Sequence, residues 1–115
     1  MKLKKGTWKI YLIKFMTNNS AIVLPLKESF SDKDFGAVSI WVYYYLKNTK
    51  KKSDYIFCRK LQKNYKYLNR KVIPISVKSK FYTNLQYIKN ISHIIKKKNI
   101  STVEIHNRPE YAYYL

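Results

Sequence analysis

The sequence predicts an α/β fold, a parallel sheet with helices on its faces, and three observations carry that reading. Short apolar runs that read as buried strands recur at Ser20–Leu26, Asp54–Cys58 and Ser101–Ile105, a pattern typical of strands covered on both sides. Two helical segments separate them, one apolar almost all round and one with a single apolar stripe. Only two Gly and three Pro accompany a hydrophobic fraction of 46%, enough material for a core and unlike a disordered chain. At 115 residues the chain has the length of one domain.

Taken in order, Ser20–Leu26 (SAIVLPL) is the first clear strand, followed by a polar loop, Lys27–Asp34, that holds three of the six acids. In GAVSIWVYYYLKNTK, residues Ala37–Leu46 are apolar or aromatic on nearly every side, which predicts a largely buried helix. Ser31 or Asp34 would cap its start, and basic residues gather after its end. Asp54–Cys58 (DYIFC) is the second strand. Lys71–Val77 (KVIPISV) alternates as a third, with Pro74 placing it at or near a sheet edge. From Phe81 to Lys98, Leu85, Ile88, Ile91 and Ile95 recur at spacings of three and four, an amphipathic helix that stops near Asn99. Ser101–Ile105 (STVEI) is the fourth strand, and Pro109 opens a further helix. Alternation of strands with helices implies parallel pairing.

Residues 1–15 stand apart as an N-terminal extension, and residues 16–115 form the domain, with Met16 a candidate start. TWKIYLIKF within the extension is compatible with an extra strand. The opening begins like a secretory signal, but Lys9 and Lys14 interrupt its apolar stretch and no small-residue cleavage site follows. No apolar run approaches the ~20 residues that span a bilayer. Cys58 is the single cysteine, which excludes an internal disulfide framework and fits a reducing, cytoplasmic setting.

With 24 Lys and Arg against six acids, the formal charge is +18. A polyanionic partner, whether nucleic acid, phosphorylated substrate or anionic membrane surface, is one reading. The other is coding composition, since the excess is nearly all Lys beside abundant Asn, Ile and Tyr. Lys50–Lys52 and Lys96–Lys98 sit at predicted helix ends, where cations favour the negative end of the dipole.

Two loops fall at the carboxyl ends of strands, where open parallel sheets bind ligands. The first, Lys27–Gly36, ends in a glycine that opens a helix, permitting close backbone approach and favouring anions at the helix start. The second, His106–Glu110, combines an imidazole suited to a sugar hydroxyl or phosphate with the fork donor Arg108. Structural roles compete here: Asn107 as a cap, Glu110 in the dipole's first turn and Arg108 as a surface salt-bridge partner. His93 reads as a surface or boundary residue of the amphipathic helix, and Cys58 as an inert core thiol.

The pairing of LPLKESFSDKDFGAVSIWV with VEIHNRPEY some seventy residues later resembles the N-terminal domain of bacterial GT-B glycosyltransferases. These are retaining enzymes that build lipopolysaccharide and other envelope glycans. The likeness covers roughly residues 17–115, with HNRPEY its most specific part. It implies a Rossmann-like sheet, the N-terminal half of a GT-B fold and incomplete at its C-terminus, so a fragment inactive by itself. It implies that Gly36 and Ala37 lie at the substrate cleft and that His106 hydrogen-bonds the transferred sugar, with Arg108 beside it. Many relatives carry Gly-Gly where this chain has Gly36–Ala37. No metal or other cofactor is expected, because basic side chains and helix starts stabilise the departing diphosphate. The implied partners are a nucleotide sugar and a glycan or lipid-linked acceptor, with peripheral contact to anionic membrane at its inner face. The rival reading is a small basic nucleic-acid-binding protein, with twelve Tyr, five Phe and two Trp among many Lys. Against it, positions such as Trp41, Tyr44 and Phe57 are ones the pattern buries. A remnant without retained binding is a third.

Overall fold

The computed structural model describes residues 7–11, 19–28, 30, 36–48, 54–60, 65–67, 69–78 and 80–115. Among them, six strands form one sheet: β1 (Thr7–Tyr11), β2 (Ser20–Val23), β3 (Tyr55–Arg59), β4 (Tyr65–Tyr67), β5 (Arg70–Ile75) and β6 (Thr102–His106). Helices α1 (Ala37–Lys47) and α2 (Thr83–Lys97) and a 3₁₀ helix, Pro109–Tyr114, complete the order. Across the sheet the strands run β1-β6-β2-β3-β5-β4. The inner four, β6, β2, β3 and β5, are parallel.

The expected all-parallel sheet is therefore corrected to a mixed one, because β1 and β4 pair antiparallel at its two edges. Tyr67 and Arg70 are separated by two residues, with Asn69 at φ 66. So short a link joins only antiparallel strands, since a parallel return needs a crossover of a dozen or more residues. Thr7–Tyr11, inside the segment set apart as an extension, is the other edge strand, with Trp8 opposite Ile105.

Side-chain alternation divides the sheet into two faces. Ala21, Val23, Phe57, Ile75, Val103 and Ile105 turn toward Tyr87, Ile88, Ile91 and Ile95 of α2. Ile22, Leu24, Ile56, Cys58 and Val72 turn the other way, toward Val42 and Leu46 of α1. The period of two in the strands and the three-four spacing in α2 thus resolve into helices on both faces. Each buried isoleucine or leucine in these layers contributes roughly 1.5–3 kcal/mol. A buried polar bond ties α2 to the residue after β2: the Tyr87 hydroxyl donates to the Leu24 carbonyl at 2.7 Å.

Helix ends follow local chemistry. Asn99, at φ 54, takes the left-handed position after α2, and the Ile100 N–H reaches back to the Ile95 carbonyl at 3.0 Å. This backbone closure buries Ile100 at the entrance to β6. After α1, both the backbone N–H and the side-chain amide of Asn48 donate to the Tyr44 carbonyl.

β5 lies near the sheet edge, as Pro74 implied: only β4 is outside it, and its described register with β4 ends at Val72, so Pro74 beyond it removes no donor from that pairing. Two local expectations are corrected. α1 is less buried than its composition suggests, with Ile40 at 43% and Tyr44 at 57% exposure. Only one side of α1 has a sheet to cover, and an aromatic surplus beyond that stripe faces solvent. Pro109 opens 3₁₀ rather than α-helix, with Leu115 N–H bonded to the Ala112 carbonyl at 3.3 Å. The proposed caps Ser31 and Asp34 lie outside the described residues.

Candidate functional site

β2 and β6 are neighbours in parallel register, Val23 beside Ile105, so their carboxyl ends open on the same rim of the sheet. The two outgoing segments then diverge. The chain leaving β2 enters α1 on one face, while the chain leaving β6 enters the 3₁₀ helix, whose Tyr111 packs into the α2 core on the other. Such a divergence is the topological switch point at which α/β sheets have a crevice.

Gly36 is the N-cap of α1, with φ −85 and ψ 179. Its conformation is ordinary extended backbone, so its purpose lies in space rather than dihedral freedom. A Cβ there would run into the Glu28 carboxyl. Glu28 Oε1 accepts from the Ser39 N–H at 2.8 Å and from the Ser39 hydroxyl at 3.0 Å, and Ser39 Oγ in turn accepts the Gly36 N–H at 2.9 Å. The anion position expected at this helix start is thus taken by the chain's own carboxylate, a stabilising arrangement with the helix dipole. Ala37, the first residue of α1, is exposed beside it.

His106 ends β6 on the α1 side of the sheet. Its ring lies 5.6 Å from that of Trp41, and this contact joins the His106 turn to α1. Glu104, two residues earlier on the same face, places Oε2 3.7 Å from His106 Nε2. Both residues are 3% exposed. His106 stands at the anticipated rim, but as a buried group braced by a carboxylate and an indole. In this position its ring is covered rather than open to solvent.

Asn107, at φ 61, turns the chain out of β6 without a cap bond to the 3₁₀ helix. Arg108 Nη1 meets Glu110 Oε1 at 3.3 Å, the salt-bridge arrangement weighed from the sequence. Tyr111 donates its hydroxyl to Asn84 Oδ1 at 2.7 Å and accepts from Leu26 N–H at 3.4 Å, fastening the 3₁₀ helix to α2 and to the loop after β2. Burial raises the Tyr111 hydroxyl pKa above its ordinary value. Away from the rim, His93 is exposed, and burial pushes the Cys58 thiol up to about 12, the behaviour of an inert core cysteine.

Glu28, Trp41 and Glu104 were not identified from the sequence. Glu104 had a signal: in the strand TVEIH, positions two apart share a face, so a buried acid is paired with His106. Among the described residues no cluster of His, Cys, Asp or Glu could hold a metal ion, and no helix is long and apolar enough to cross a membrane.

The fold and rim together define an α/β domain with a mixed, mostly parallel sheet in which the carboxyl ends of β2 and β6 share one rim. In comparisons with known proteins the chain matches no family model, no curated protein and no solved structure.

Proposed function

We propose that the chain is the acceptor-side domain of a GT-B glycosyltransferase, moving a sugar from a nucleotide-sugar donor to an envelope glycan or lipid-linked acceptor. The observation that carries this reading is the side-by-side parallel pairing of β2 and β6, whose following helices, α1 from Gly36 and the 3₁₀ helix after His106, pack on opposite faces of the sheet. On this reading Gly36, Ala37 and Arg108 border the sugar groove. His106 is a positioning residue, held by Glu104 and acting through Trp41.

Titration of the isotope-labelled chain with lipopolysaccharide-core oligosaccharides and with nucleotide sugars tests it by amide chemical shifts. Saturable shifts at residues 36–41 and 106–108 for the oligosaccharide are expected, weakened by Trp41→Ala. Shifts elsewhere only, or none, would overturn the reading.

A second reading, nucleic-acid binding, has its own observation. Lys66, Lys71, Lys97 and Lys98 line a groove of about 470 Å³ near the amino end of β5. The Lys71 and Lys98 ammoniums stand 5.8 and 5.5 Å from the Tyr55 ring centroid. Exposure of Tyr44, which the sequence pattern had buried, also removes part of the case against it. Binding of single-stranded oligonucleotides with a steep salt slope, and shifts at Tyr55 and Lys71, would favour this reading.

A further inference from the structure

A second cleft opens at the carboxyl rim, away from His106. Its walls come from the ends of three parallel strands and the start of α2: Leu26 and Lys27 after β2, Arg59 and Lys60 at the end of β3, Ile75 to Val77 at the end of β5, and Thr83. Its volume is about 510 Å³, within the range of small-molecule sites. Lys27, Arg59 and Lys60 bring three cations to its lining, and among the described residues no carboxylate lines it. The nearest acid in sequence, Glu28, is committed elsewhere, with its carboxylate on Ser39. Ser76 and Thr83 add hydroxyls, and Leu26, Ile75 and Val77 supply an apolar wall.

The backbone holds two of the cations in place. Arg59 N–H donates to the Glu28 carbonyl at 2.9 Å and Lys60 N–H to the Ile75 carbonyl at 3.2 Å. The three strand ends are thereby tied into one wall. A guanidinium fork and two ammoniums in one lining supply the chemistry that suits a phosphate group, which accepts bidentate bonds from Arg and point-charge bonds from Lys.

We propose that this cleft binds the phosphate group of a phosphomonoester, with the ester's organic part against Leu26, Ile75 and Val77. The site requires nothing of Gly36 or His106 and stands whether or not the transferase reading does.

Phenyl phosphate, inorganic phosphate and neutral vesicles doped with anionic phosphatidylglycerol are the probes, read by amide shifts of the whole chain. Phenyl phosphate is expected to shift Lys27, Arg59, Lys60 and Thr83 saturably and to bind more tightly than inorganic phosphate. Arg59→Ala should weaken it roughly ten- to a hundredfold, the loss of a charge-assisted hydrogen bond. Lys96→Ala, which removes the same charge from the far end of α2, should leave affinity within about twofold, a difference of under ~0.5 kcal/mol. Equal weakening by both substitutions, shifts spread over lysines generally, a response to vesicles alone, or no binding would each overturn the proposal.

Discussion

Replacing Gly36 by Ala isolates one contact with unusual clarity. The backbone at Gly36 is extended, at φ −85 and ψ 179, so alanine adopts it without strain. Alanine also lowers the entropy of the unfolded chain, which by itself stabilises by about 0.4–1 kcal/mol. Against this, the new methyl would lie 2.6 Å from Glu28 Cδ and 2.7 Å from Cγ, so the carboxyl must leave. Its departure breaks the bonds to the Ser39 N–H and hydroxyl, at 2.8 and 3.0 Å. Loss of such a helix-start acceptor costs about 1–2 kcal/mol. The net expectation is destabilisation of up to about 1.6 kcal/mol, centred on ~0.8 kcal/mol, or a few degrees in Tm at about 4–8 °C per kcal/mol for a domain near this size. With Glu28→Ala already in place, the clash and the bonds are both gone, and Gly36→Ala should instead stabilise by about 0.4–1 kcal/mol. Urea unfolding followed by circular dichroism, applied to the double-mutant cycle, reads this reversal of sign. Equal destabilisation in both backgrounds would refute the reasoning and assign Gly36 some purpose other than housing Glu28.

Three further outcomes can be checked by unfolding measurements. Tyr87→Phe leaves the buried Leu24 carbonyl without its donor at 2.7 Å, and a loss of about 1–3 kcal/mol is expected in urea unfolding. Cys58 ionises near an ordinary 9.0 in the unfolded chain but near 12 in the fold. Its contribution is therefore complete below pH 9 and declines by about 1.4 kcal/mol per pH unit from there toward pH 12. Stability profiles should show that slope in the native protein and lack it between pH 9 and 10 in Cys58→Ala. Burial also raises the pKa values of Tyr87 and Tyr111, so the native decline should steepen above about pH 10, where tyrosines in the unfolded chain ionise. Tyr82 holds φ 53 while 80% exposed, and Tyr82→Asn should raise Tm by relieving about 0.5–1 kcal/mol of left-handed strain.

The inner layers were legible because their signals are local. Leu85, Ile88, Ile91 and Ile95 mark α2 by spacing alone, and Asn99 marks its stop. The runs before Lys27 and Lys60 reveal strands buried on two sides. β4 was not legible: Tyr65–Tyr67 is a three-residue strand, too short for periodicity to register. It is stabilised by pairing with β5 and by the Tyr67 hydroxyl donating to the Tyr43 carbonyl at 3.1 Å, a partner 24 positions away. The rim was half legible. Strand ends and a glycine before a helix locate it, but the filling of the α1 start by Glu28 depends on a loop folding back over eleven positions. Nor does any spacing rule bring Trp41 to His106, since that contact arises only once β6 lies beside β2.

The two ends of the carboxyl rim carry opposite chemistry, and this orders how a ligand can use them. Near β2 and β6 stand Glu28, Glu104 and Glu110, half of the chain's six acids, with Trp41 closing over His106. Near β3 and β5 stand Lys27, Arg59 and Lys60 around open space. In a protein of charge +18, the three cations around the β3–β5 cleft favour an anion at that end of the rim. On the proposed reading, a ligand at the β2–β6 end would meet the Glu28 carboxylate and the Trp41 ring, neither of which is among the described residues that line the β3–β5 cleft. A molecule carrying both a phosphate and a sugar would anchor first by its phosphate at the cationic end. Only the binding energy gained there would be available to open the acidic one. On these grounds, removing Arg59 should weaken any response of residues 106–108 to such a molecule, whereas Trp41→Ala should leave phosphate capture intact.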